Sequence, residues 1–123
     1  MTLPGGIGPV DRFVRAAYFL HYLPEPADLR EAIAGVVNIA GTVSCPPGAP
    51  YKDTGVYPTW WTSAIDLTNL TYYFWSHASP SLIWSELSGI DLCPGSAVRS
   101  LDPRDAGLAG DVTARLAPAA LTY

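Results

Sequence analysis

Three segments of this sequence, "TWWTSAID" (59–66), "TYYFWSH" (71–77) and "SLIWSEL" (81–87), crowd aromatic and β-branched residues between short breaks. Such residues suit a pleated, half-buried surface, and the breaks "LTN" and "ASP" carry turn formers, so the pattern predicts three strands of an antiparallel meander. Side chains alternate along a strand. Trp60 and Trp61 must therefore point opposite ways, as must Tyr72 and Phe74 against Tyr73 and Trp75. Both faces of the sheet are apolar, whereas a sheet wet on one side would alternate apolar with polar. A sheet of this kind needs cover on two sides.

Upstream of the strands the periodicity is helical. After the Gly/Pro loop "LPGGIGP" (3–9), Asp11 reads as an N-cap or first-turn acid. Phe13, Ala16, Ala17 and Leu20 recur at helical spacing as one apolar stripe of the kind that packs inward, until "LPEP" stops the helix near Leu23. Pro26 suits the first turn of a second helix, in which Leu29, Ile33, Val36, Val37 and Ala40 share a face while Asp28, Arg30 and Glu31 stay in water. Gly41 or "CPPGAP" (45–50) ends it, and residues 46–58 read as loop. Beyond Leu87 the apolar density falls, although "GSAVRSLD" (95–102) suits one more edge strand before an Ala/Gly-rich tail. The two helices can cover one face of the sheet, and little chain remains for the other.

The helix beginning "DRFVRAAYF" poses an electrostatic problem. A helix N-terminus is the partly positive end of the peptide dipole, so a cation there costs roughly 0.3–1 kcal/mol when exposed. Yet Arg12 and Arg15 both lie in its first turns, in a chain with only seven Lys and Arg. They neighbour one another on the helix surface, away from the Phe13 stripe. Local physics favours a solvated cationic face pairing with Asp11 or an acid of the tail. The alternative is a fork of donors placed to hold a carboxylate or developing negative charge.

With 123 residues the chain forms at most one domain. Only 15% of residues are charged, against about a quarter in ordinary soluble domains. A net charge of −4 without any basic run argues against nucleic acid and anionic membranes as partners, leaving a small molecule or another chain. No apolar run is long enough to span a bilayer, and "MTLPGGIGPV" lacks the basic start and apolar core of a signal peptide. Cys45 and Cys93 form no CxxC, so a structural zinc site has no support, and whether they join in a disulfide stays open. Both read as small buried hydrophobes rather than nucleophiles, and His21 as an ordinary amphipathic-helix histidine. "NLT" at Asn69 matches a glycosylation sequon that arises often by chance.

The segments "LPGG…DRFVRAAYFLHYLPEP", "EAIAGV", "DLTNLTYYFWS" and "SLIWSEL" resemble the C-terminal part of the choloylglycine hydrolase and penicillin V acylase family. The likeness runs more weakly through "GSAVRSLD" to the tail. It implies an α+β fold, part of a four-layer αββα sandwich of the N-terminal-nucleophile class, with two helices followed by an antiparallel three- to four-stranded sheet. A cysteine at the mature N-terminus serves as nucleophile and its α-amino group as base, with no cofactor. Family members hydrolyse linear amide C–N bonds in penicillin V or conjugated bile salts. Arg12 matches the family's active-site arginine in "DRFVR", whereas Arg15 falls on a structural position.

Thr2, not cysteine, follows Met1, and neither Cys45 nor Cys93 matches the nucleophile. The resemblance therefore implies that residues 1–123 are a C-terminal segment of one incomplete domain, inactive alone. Its partners would be the missing N-terminal segment, an acyl amide substrate once completed, and in its absence a second copy. The other reading is a binding or interaction module that kept the scaffold without the chemistry. The resemblance leaves the compartment open between cytoplasm and periplasm.

Overall fold

The structure, a computed structural model, describes residues 2–51, 53 and 55–120. Two compact units divide the chain, Met1–Thr59 and Trp60–Tyr123.

The first unit is a helical hairpin. Helix α1 spans Pro9–His21, with Pro9 preset for the first turn and Asp11 complementing the positive helix end. Gly6 has no room for a Cβ because the Asp11 carboxylate occupies that space. Helix α2 spans Leu29–Val43 and begins after Pro26, because Asp28 is its cap: the Asp28 carboxylate accepts the Glu31 N–H at 2.8 Å. The Glu31 carboxylate in turn accepts the Ala27 N–H at 2.9 Å. Between the helices Leu23 closes on Gly35, where a Cβ would lie 2.9 Å from its Cδ1.

The apolar stripe of α1 does not face inward as the periodicity predicts. Phe13 is 73% and Leu20 64% exposed, and Ala17 is exposed with them. The half-buried side of α1 instead carries Arg12, Arg15, Tyr18 and Phe19. On α2, Ile33, Val37 and Ala40 are half-buried as expected, while Leu29 and Val36 are more exposed, at 45% and 41%.

The second unit is built on strands β1 (Trp61–Asp66), β2 (Thr71–Ser76) and β3 (Ile83–Glu86), which pair antiparallel in sequence order. At the first turn the Asp66 carboxylate accepts the N–H groups of Thr68 and Asn69 and the Asn69 side-chain amide. Leu70 closes that turn in the left-handed region at φ 54°. The register places Trp61, Ile65, Tyr72, Phe74 and Ile83 on one face and Ala64, Tyr73, Trp75 and Trp84 on the other.

The tail completes this unit. Two-residue strands β4 (Arg99–Ser100) and β6 (Ala117–Pro118) pair with each other in a separate small sheet, while β5 (Gly110–Asp111) joins the main sheet parallel to β3. The sheet is thus mixed, in the order β1-β2-β3-β5, and "GSAVRSLD" supplies no edge strand to it. Ile83, Leu108 and Val112 form the buried cluster, with Phe74 and Leu101 packed against it. Leu108 is 2% exposed, and burying such a side chain contributes about 2 kcal/mol. The tail covers the first face only over β2 and β3; on β1, Trp61 and Ile65 are more than half exposed.

Candidate functional site

The C-terminal turn of α2 leaves carbonyls without intrahelical partners, gathered at the negative end of its dipole. Thr42 and Ser44 hydroxyls bond back to the carbonyls of Ile39 and Ala40. Those of Thr42 and Val43 are taken by α1. Arg12 Nε donates to the Val43 carbonyl at 2.7 Å, and Arg15 Nε to the Thr42 carbonyl at 3.0 Å. The two cations that sit badly at the start of their own helix sit well at the end of its neighbour.

The arginines then diverge. One terminal nitrogen of Arg15, Nη1, donates to the carbonyls of Pro4 and Gly6, each at 2.7 Å, tying the Gly/Pro loop to the hairpin. Among the described residues the Arg12 side chain makes one hydrogen bond, through Nε, and neither of its terminal nitrogens has a partner. Arg12 is half-buried, and among the described residues its guanidinium is anchored at one corner and otherwise uncommitted. Such a fork can take a carboxylate or an oxyanion without first breaking an internal ion pair. Neither Asp11 nor a tail acid forms an ion pair with either arginine; among the described residues the ion pairs are Arg104–Asp102 and Arg115–Asp105, both in the second unit.

The other sequence candidates lie elsewhere. His21 stands at the far end of α1, about 13 Å along the axis from Arg12, and packs edge-on against Tyr22. Both thiols are free: Cys45 is buried, with its N–H donated to the Thr59 hydroxyl, whereas Cys93 is exposed, contrary to the burial expected of it. Asn69 of the sequon holds the Asp66 turn. Among the described residues no cluster of three or more His, Cys, Asp and Glu side chains converges. The Val43 carbonyl, which anchors Arg12, has no sequence signal, because every residue carries a carbonyl.

The sequence pattern of the linear amide C–N hydrolases, choloylglycine hydrolase family, matches residues 1–108. The chain belongs to this family. It is 28% identical over 116 residues to a penicillin V acylase of Pectobacterium atrosepticum, covering 83% of this chain and 31% of that protein. The penicillin V acylase of Agrobacterium tumefaciens superposes with a TM-score of 0.86 at 30% identity, over 97% of this chain and 39% of its own. This member of the choloylglycine hydrolase family thus spans well under half the length of either relative, and its α+β architecture matches one portion of the acylase fold. Among the described residues no helix is long and apolar enough to cross a membrane.

Proposed function

We propose that this chain is the C-terminal portion of a linear amide C–N hydrolase, with Arg12 in its active site, and that it is inactive until an N-terminal polypeptide supplies the cysteine nucleophile. The observation that carries this reading is the state of Arg12: its Nε is fixed on the Val43 carbonyl and its terminal donors have no partner among the described residues. In the completed enzyme the α-amino group of the cysteine takes the thiol proton, and the thiolate attacks the amide carbon while the carbonyl electron pair moves to oxygen. Collapse of that oxyanion expels the amine, which leaves with the proton held by the α-amino group. The freed α-amino group then takes a proton from water as its oxygen adds to the thioester carbon, and returns that proton to the departing sulfur, giving a carboxylic acid and the restored thiol. Arg12 offers charge and hydrogen bonds to the thiolate and to the oxyanion, groups that are more negative along the reaction than at its start.

The substrates to test are penicillin V and glyco- or tauro-conjugated bile salts, first with the isolated chain and then with the chain fused to an N-terminal segment of the family. The expected result is no turnover by the isolated chain and turnover by the fusion. Arg12→Ala in the fusion should lower kcat/KM by about 10²–10³-fold, as loss of one oxyanion donor does, and Arg12→Lys should restore only part. Turnover by the isolated chain would refute its inactivity, and an Arg12→Ala fusion of full activity would refute the role of Arg12. A self-sufficient binding module is the competing reading. The exposed Phe13, Leu20, Trp61 and Ile65 favour the first, since a stable monomer rarely leaves so many large apolar side chains in water.

A further inference from the structure

In the second unit, a cavity of about 360 Å³ lies between the main sheet and the tail that crosses it. This is near the low end of the roughly 300–1,000 Å³ typical of small-molecule sites. Phe74, Ile83, Val112 and Leu116 make its lining mainly apolar, and Arg99 and Ser100 of β4 bring polar groups to it. Arg99 is held in place by the pairing of β4 with β6 and by donation from Nη1 to the Leu116 carbonyl at 3.1 Å. Its Nε and Nη2 have no hydrogen-bond partner among the described residues, and it forms no ion pair there. Asp91 feels its charge only weakly: that carboxyl is held below its usual range first by the Cys93 N–H and then by the side chains of Ser96 and Cys93.

We propose that this cavity binds a small amphipathic carboxylate, an aromatic or branched aliphatic acid. Its apolar body lies over Phe74, Ile83 and Val112, and its carboxylate takes the free donors of Arg99. Water in an apolar cavity has few partners, so an apolar group that displaces it gains free energy. One planar guanidinium matches a carboxylate with two parallel hydrogen bonds. A phosphate dianion would find no second cation among the lining residues, and an ammonium group would meet Arg99 as a like charge. The site draws on residues 72–116 and on none that the proposed hydrolysis uses, so the two readings stand or fall separately.

The full 123-residue chain, carrying Phe13→Glu and Leu20→Glu outside the cavity to limit self-association, is titrated with 2-naphthoate, 2-naphthylmethanol and 2-naphthylmethylammonium, following the methyl resonances of Ile83, Val112 and Leu116 by NMR. Naphthoate should shift them saturably, and the neutral alcohol should bind about tenfold more weakly, with the ammonium weaker still. Arg99→Gln should weaken naphthoate by about the same factor and leave the alcohol unchanged, which also reports that the variant's cavity is intact. Absence of saturable shifts at these methyls would overturn the proposal. So would equal affinity for the three probes, or naphthoate binding that Arg99→Gln does not alter.

Discussion

Arg12 and Arg15 show how a side chain's energetic meaning depends on which helix end it meets. Considered against α1 alone both are mildly unfavourable, yet each places charge on carbonyls at the C-terminus of α2, where a cation is favourable. Arg15 makes one such bond and two more to the loop carbonyls of Pro4 and Gly6, and Arg15→Leu should destabilise the folded chain by about 2–3 kcal/mol in urea unfolding, because charged hydrogen bonds are lost and acceptors go unpaired. Arg15→Lys should recover only part, since one ammonium cannot reach Pro4, Gly6 and Thr42 in the same fork. Aspartates fasten the second unit in a comparable way. Asp66 is held below the usual carboxylate range first by the Asn69 side chain, and Asp111 first by the Thr113 hydroxyl. A carboxyl with a depressed folded pKa contributes stability above its unfolded pKa and loses it as pH falls through the folded one. Thermal melts taken from neutral pH downward should therefore show stability falling through the acid range, and Asp66→Asn with Asp111→Asn should flatten that fall.

At the scale of elements, much was readable because the signals are local. Both helices are readable from their periodicity, although α2 starts not at Pro26 but at Leu29, where the structure uses the carboxylates of Asp28 and Glu31 as caps. Asp28→Ala should cost about 1 kcal/mol, and Asp28→Ser should cost less, as measured by chemical denaturation with helical circular dichroism. The three aromatic strands and their order are likewise legible from alternation and turn chemistry, and Asp66 and Asn69 form the first turn at the expected break. The short tail strands were not. A two-residue strand such as Gly110–Asp111 has no periodicity to detect, and it forms because Leu108 and Val112 on either side are buried against Ile83. The free donors of Arg99 and the cavity beside them depend on that same crossing of the tail.

Over the whole molecule, apolar surface is left open in both units, on α1 at Val10, Phe13 and Leu20 and on β1 at Trp61 and Ile65. At micromolar concentration the isolated chain should self-associate and bind an apolar dye. Phe13→Glu combined with Leu20→Glu should reduce both, seen by light scattering and dye fluorescence, while changing the melting temperature little because neither side chain is packed. An unchanged scattering signal would place the sticky surface elsewhere. Alternation and helical periodicity are properties of neighbouring residues, so the sequence by itself determined the helices, the meander, the two apolar faces of the sheet and the family. The side of α1 that turns inward was decided by the tertiary structure. Its arginines are drawn to carbonyl oxygens at the end of α2, acceptors common to every residue and assembled only when the hairpin closes.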